Sequence, residues 1–131
     1  MIDVKHLSKS FGDHLVLDDI SEHVSPGENV VVIGPSGSGK STLLRSINRL
    51  EVIDKGTILV EGSDINAPEN DINKIRQDLG MVFQSFNLFN NMTVLDNCTA
   101  GLRYVLHQDK ETAKKTALEN LEKVGMAPYI H

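Results

Sequence analysis

The sequence of 131 residues has no tryptophan, one cysteine and few aromatic side chains, which make up 5% of the chain. Because Cys98 is alone, no intrachain disulfide can form and a zinc site built on cysteines is not expected. The five histidines show no metal-binding spacing. No apolar run approaches the roughly 20 residues that cross a bilayer, and the N-terminus lacks the apolar segment of a signal peptide. The net charge of −5 argues against nucleic acid as the main partner. We therefore expect a cytoplasmic chain with one ordinary core.

Strands are predicted mainly in the first two thirds of the chain. Alternating apolar residues and β-branched runs indicate strands at residues 2–7, 15–24, 30–33, 56–61 and 79–83, with turns at Gly12-Asp13 and Gly62-Ser63-Asp64. The continuous run Val30-Val31-Val32-Ile33 is typical of a strand buried on both faces, as in a parallel sheet. A short helix is predicted over residues 71–77.

Helices dominate the prediction after residue 84. Thr93 is a candidate N-cap, with Asp96 three residues later completing a capping box. Asp109 is the candidate N-cap of a helix over residues 110–124, which Gly125 ends. The apolar stripe of that helix comprises Ala113, Ala117, Leu121 and Val124, and Cys98 is expected to be a small buried residue. The predicted organisation is a β-rich part at residues 1–84 and a helical part at residues 85–131.

The motif that carries chemistry lies between the strand at residues 30–33 and a helical stripe of Leu43, Leu44, Ile47 and Leu50. Its sequence, Gly34-Pro35-Ser36-Gly37-Ser38-Gly39-Lys40-Ser41, matches the phosphate-binding P-loop pattern. Glycines let the backbone approach a phosphate closely, and the following helix offers unpaired N–H groups and a partial positive charge.

Three side chains complete the predicted phosphate site. The Lys40 ammonium can reach the β- and γ-phosphates, the Ser41 hydroxyl can be a Mg²⁺ ligand, and the Thr42 hydroxyl can bond a phosphate. Chance produces this motif in roughly 0.5% of chains of this length. The alternative is a glycine-rich turn without a ligand, and the strand before and helix after it favour the P-loop. The sequence therefore predicts binding of ATP with Mg²⁺.

The chain resembles the ATP-binding subunit of an ABC transporter, and within that family the polar amino acid importers. The segments Leu7-Ser8-Lys9-Ser10-Phe11-Gly12 and Gly80-Met81-Val82-Phe83-Gln84 carry the resemblance beside the P-loop. It implies that Phe11 stacks on adenine, where the alternative is a core or hairpin phenylalanine. It implies that Gln84, in the Q-loop, is catalytic, contacting Mg²⁺ and the attacking water; a glutamine amide suits this because its oxygen accepts from water. Taken alone, Gln84 is better explained as a solvated polar residue, and its place after the predicted strand at residues 79–83 is what favours the Q-loop.

The segment from Ser85 to Asn97 resembles the start of the family's helical subdomain. The resemblance implies a groove there for a short helix of a membrane permease, with Phe86, Phe89 and Met92 as candidate contacts. The alternative is that these side chains pack inside the subdomain. Asn90-Asn91 stands where the family commonly has Pro-His, so nothing is carried over to those two positions.

The expected fold is α/β: a P-loop NTPase core with an N-terminal β-subdomain, followed by the start of a helical subdomain, and incomplete relative to the family. The 131 residues contain no Leu-Ser-Gly-Gly-Gln signature, Walker B strand or switch histidine. We therefore expect the first part of such a subunit, with nucleotide binding favoured over turnover.

The resemblance also implies a location and partners. The whole subunit would lie peripherally on the cytoplasmic face of the membrane, form a nucleotide-sandwich dimer with a second ATP-binding subunit, and drive solute uptake through a permease. The alternatives are another P-loop enzyme, such as a small kinase, or a non-catalytic nucleotide-binding fragment. A kinase would need a lid rich in arginine, and the chain has only Arg45, Arg49, Arg76 and Arg103.

Overall fold

The computed structural model describes all 131 residues, which form two compact units, Met1–Gly80 and Met81–His131. The first contains β1 (Ile2–Phe11), β2 (His14–Val24), α1 (Lys40–Ile47), β3 (Lys55–Val60), β4 (Ser63–Asp64) and α2 (Ile72–Gln77). The second contains α3 (Val94–Tyr104), α4 (Lys110–Lys123) and a 3₁₀ turn at Ala127–Tyr129. None of the helices has the length and apolar character needed to cross a membrane.

A four-stranded antiparallel sheet in the order β2-β1-β3-β4 forms the first unit. The hairpin of β1 and β2 turns at Gly12, whose φ of 59° suits a glycine, as the sequence predicts. One face of the sheet is buried, because apolar residues recur at alternate positions. The core consists of Val4, Leu7, Leu17, Ile58, Val60 and Ile65, with Leu43 and Ile47 of α1 packed against it.

The predicted strand at residues 30–33 is absent from the structure. Val31 and Ile33 are 78% and 90% exposed, and the segment belongs to no sheet. A strand needs a neighbour to pair its N–H and C=O groups, and none of the four strands of the antiparallel sheet pairs with this run. The β-branched composition is therefore not sufficient to make it a strand in this chain.

The predicted strand at residues 79–83 is likewise wrong. This stretch follows α2 without regular structure, and Val82 is fully exposed. The short helix expected at residues 71–77 is present, with Asp71 as its N-cap; its side chain accepts from the Asn73 N–H at 3.0 Å. The short helix, which depends on neighbouring residues, is therefore present. The strand at residues 79–83, which would need a distant partner, is not.

The second unit consists of α3 packed against α4. Thr93 and Asp109 are their N-caps, as predicted: Thr93 Oγ1 accepts from the Asp96 N–H at 3.1 Å, and Asp109 Oδ1 accepts from the Thr112 N–H at 3.0 Å. The stripe Ala113, Ala117 and Leu121 is buried. Two expectations fail, since Val124 follows the last helical turn and is 71% exposed, and Cys98 lies on the exposed side of α3.

Candidate functional site: a phosphate-binding loop

The residues between Ile33 and α1 form a glycine-rich loop that leads directly into the helix. Gly37 and Gly39 have φ values of 78° and 95°, in the left-handed region that other residues avoid. Gly39 is also the N-cap of α1, and a Cβ there would lie 2.9 Å from Val16 Cγ1 of β2. The loop therefore needs glycine at Gly39 for two reasons, its backbone conformation and its close approach to the sheet.

The Lys40 side chain folds back over the loop. Its ammonium donates to the carbonyl oxygen of Gly34 and, at 2.9 Å, to that of Pro35. The Ser38 N–H also donates to the Pro35 carbonyl at 3.2 Å, which closes the turn. The positive charge that would meet a phosphate is thus held against the loop by the loop's own carbonyl groups.

The first N–H groups of α1 have no hydrogen-bond acceptor from a capping side chain. Gly39 provides no side-chain cap, and the first turn contains no acidic residue. The contrast with α4 is informative, because there Asp109 caps the helix and Glu111 lies in the first turn. The donors and partial positive charge at the start of α1 therefore remain for an anion.

A cavity of about 250 Å³ lies between the loop and β2. Its walls are mainly apolar side chains and loop backbone, from Leu17, Ile20, Val32, Ile33, Gly34, Pro35, Ser38, Gly39, Lys40 and Leu43. Pro35 and Ser38 are exposed, so solvent reaches the loop from outside. The loop is thus exposed to solvent on its outer side and has a cavity beneath it, and the site is not a closed pocket.

Phe11, the predicted adenine contact, lies at the end of β1 and is 45% exposed. It is not a core residue; it lies beside the hairpin turn, as the hairpin alternative expects, and its role in stacking stays a prediction. The Lys9 ammonium lies 5.0 Å from the centroid of its ring. An exposed aromatic ring beside a cation is compatible with stacking on a base.

The sequence that contains this loop matches a known protein family. Residues 17–130 match the family model described as ABC transporter. The chain belongs to the ABC transporter family. The resemblance expected from the P-loop, Phe11 and Gln84 segments is thereby confirmed, as is the assignment of the fold to the N-terminal portion of a P-loop NTPase.

Relatives of this ABC transporter chain include amino acid transport proteins. The glutamine transport ATP-binding protein GlnQ of Bacillus subtilis (strain 168) is 52% identical over 126 residues, covering 96% of this chain and 52% of the relative. GlnQ of Escherichia coli (strain K12) is 50% identical over 131 residues, covering 100% and 55%. The glutamate/aspartate import ATP-binding protein GltL of Escherichia coli (strain K12) is 45% identical, covering 100% and 54%. The chain spans about half the length of the curated relatives it matches.

The two expected magnesium ligands of this ABC transporter chain lie in different units. Ser41 is in the first turn of α1 and exposed, and Gln84 is in the second unit and exposed. No cluster of three or more His, Cys, Asp or Glu side chains is placed to hold a metal ion. A hydroxyl with no carboxylate partner suits a cation that arrives with phosphate oxygens as its other ligands. The roles of both residues remain predictions.

The segment with the candidate permease contacts is an ordered loop before α3. Phe86 and Phe89 are 92% and 56% exposed, so they do not pack inside the unit, whereas Met92 is largely covered, with 37% exposed. Asn97 holds the loop from inside α3, accepting from the Phe89 N–H at 2.8 Å and donating to the carbonyls of Phe89 and Thr93. Sequence reasoning missed Asn97, for which the only signal is an asparagine within a helix.

Proposed function

We propose that this chain is the nucleotide-binding portion of the ATP-binding subunit of an ABC importer for polar amino acids. The observation that carries the proposal is the loop from Gly34 to Lys40 opening α1 without a cap or an acidic residue. The first N–H groups of a helix have no partner within it, and the Lys40 ammonium lies against the same loop. The names of the relatives support amino acids as the solute class.

Each loop residue has a role in this proposal. Gly34, Ser36, Gly37, Ser38 and Gly39 present backbone N–H groups to the phosphates. Pro35, which has no N–H, lines the loop and accepts from the Lys40 ammonium through its carbonyl. The Lys40 ammonium neutralises the phosphate charge, and the Thr42 hydroxyl bonds a phosphate oxygen. Phe11 stacks on adenine. Magnesium, when bound, neutralises phosphate charge and fixes the geometry of the triphosphate; Ser41 would be its ligand from the loop, and Gln84 would join it in the whole subunit.

Turnover and transport are proposed for the whole subunit. There the protein would lie peripherally on the cytoplasmic face of the membrane, dimerise around ATP and contact a permease through Phe86, Phe89 and Met92. Exposed aromatic side chains on a hydrogen-bonded loop support that contact. The loop residues would bind the nucleotide, and the Gln84 amide would orient the attacking water. Family membership opposes the alternative of a small kinase.

The central test is nucleotide binding by the chain and by Lys40→Met, measured by titration calorimetry with MgATP. We expect the substitution to weaken binding at least about tenfold, because a charge-assisted hydrogen bond contributes about 1.5–3 kcal/mol. Lys110→Met is the matched control, since Lys110 is also the first residue of a helix and is exposed, but its helix is capped by Asp109. Equal affinity of Lys40→Met and the wild-type chain would refute the assignment, and so would absence of MgATP binding by the wild-type chain.

A further inference from the structure

The ring of Phe11 is not free on both faces. It lies at the tip of the β1–β2 hairpin, next to Gly12 and 45% exposed. The Lys9 ammonium, two residues earlier on the same strand, lies 5.0 Å from the ring centroid. The pairing of β1 with β2 shifts between Lys9 and Ser10, so this contact depends on the local geometry of the irregular strand end and not on regular strand alternation. One side of the ring is therefore in contact with a cation.

The ammonium of Lys9 is held in place by a residue far along the chain. The Lys9 side chain is only 14% exposed, and its Nζ lies 3.9 Å from Oδ1 of Asp54. Asp54 Oδ2 accepts from the Ser10 N–H at 2.7 Å, and the Asp54 N–H donates to the Ser8 carbonyl at 3.0 Å. Asp54 is thus fastened to β1 through both its backbone and its side chain. Because Asp54 is fixed, the position of the Lys9 charge is fixed too.

We propose that Lys9 and Asp54 form a brace that positions Phe11 for a purine base, with Lys9 as the positioning residue. The inference rests on the proposed function, in which Phe11 stacks on adenine. The brace covers one face of the ring and leaves the opposite face for the base. It also limits rotation of the ring, so less side-chain freedom is lost when the base binds.

The electrostatics favour this arrangement. The face of an aromatic ring is negative, so an ammonium over it is attracted, and partial burial of the lysine strengthens that attraction. The Asp54 carboxylate partly neutralises Lys9, which keeps the cation at the hairpin without making the base site strongly positive. The site consequently recognises the planar surface of a base, while the triphosphate is recognised separately at the loop.

That separation provides the test, because a nucleotide uses both sites and inorganic tripolyphosphate uses only the loop. We expect Lys9→Met to weaken MgATP binding at least about threefold, since that is the size of an exposed cation–π contact and Lys9 is partly buried. Binding of magnesium tripolyphosphate should be unchanged. Lys9→Arg should retain wild-type affinity, since guanidinium also stacks on aromatic faces. Lys5→Met is the matched control, being the same substitution at an exposed position of the same strand.

A variant that carries both Lys9→Met and Phe11→Ala tests whether Lys9 acts on the base through the Phe11 ring. Phe11→Ala alone should weaken MgATP binding by about fivefold or more, as expected for loss of base stacking. Adding Lys9→Met to Phe11→Ala should then have no further effect. An equal loss for ATP and tripolyphosphate, an unchanged ATP affinity in Lys9→Met, or additive losses in the double variant would each overturn the brace. These results leave the Lys40 test untouched, so failure of the brace and failure of the proposed function are distinguishable.

Discussion

Substitution by alanine should affect two glycines of the candidate phosphate-binding loop very differently, although they lie two residues apart. Gly37 and Gly39 both have positive φ, at 78° and 95°. A Cβ at Gly37 would have nothing within 4 Å, whereas at Gly39 it would lie 2.9 Å from Val16 Cγ1 and 3.1 Å from the Val16 carbonyl oxygen. The first substitution changes only backbone preference, and the second also forces the loop away from β2.

The expected magnitudes follow from these two contributions. A left-handed conformation costs alanine about 1–2 kcal/mol, while the reduced freedom of the unfolded chain offsets about 0.4–1 kcal/mol of that. Gly37→Ala should therefore lower the free energy of unfolding by about 1 kcal/mol. At Gly39 the clash adds the cost of overpacking, about 1–3 kcal/mol. Because one clashing atom is a backbone oxygen of the sheet, it cannot relieve the contact by changing rotamer.

The assay must report on the first unit alone. Both tyrosines, Tyr104 and Tyr129, lie in the second unit, and the chain has no tryptophan, so intrinsic fluorescence is blind to the first unit. Native-state hydrogen exchange of the sheet amides of Val4 and Ile58 measures its opening free energy without nucleotide. We expect Gly39→Ala to reduce protection clearly more than Gly37→Ala. An equal reduction, or a larger one for Gly37→Ala, would refute the close-packing argument.

Two further predictions concern the helices. Arg76 donates from Nε to the Asn48 carbonyl at 3.0 Å and from Nη2 to the Arg49 carbonyl at 3.1 Å. Arg76→Met should therefore lower the opening free energy of the first unit, measured by hydrogen exchange, by about 2 kcal/mol. Lys74→Met on the same helix is the control and should lower it little. Hydrogen bonding to Thr112 holds the pKa of Asp109 below 3.8. The stabilisation that ionised Asp109 gives the folded state is present above the unfolded-state pKa and is lost as the pH falls through the lower folded-state pKa. The difference in the free energy of unfolding between wild type and Asp109→Asn should therefore shrink on acidification. Urea unfolding followed by tyrosine fluorescence measures it.

The elements that sequence predicts well are those decided by neighbours in the chain. The hairpin turn at Gly12, the short helix expected at residues 71–77 and the N-caps Thr93 and Asp109 each depend on a few consecutive residues, and all are present. The P-loop belongs to the same class, because its glycines, lysine and following helix are contiguous. The loop's conformation and the start of α1 could therefore be predicted from the motif alone.

The failures share a dependence on distant partners. Residues 30–33 have the composition of a buried parallel strand, but composition supplies neither the adjacent strand nor the covering layers, and Ile33 stays 90% exposed. The Lys9–Asp54 pair spans a large sequence separation and leaves no local pattern. Asn97 reaches back to Phe89 across the loop, a contact visible only once α3 is in place. In none of these cases is the outcome decided by neighbours in the chain alone.

The conformation of Lys40 bears on how much the loop must rearrange when phosphate binds. An ammonium has three N–H donors, and two of them contact the carbonyls of Gly34 and Pro35. The third can bond a phosphate oxygen while the first two keep the loop closed. Lys40 then stabilises the loop and neutralises the ligand at once, instead of exchanging one task for the other. Lys40→Met removes both contributions, and the tenfold loss expected from a single charge-assisted bond is therefore a lower bound.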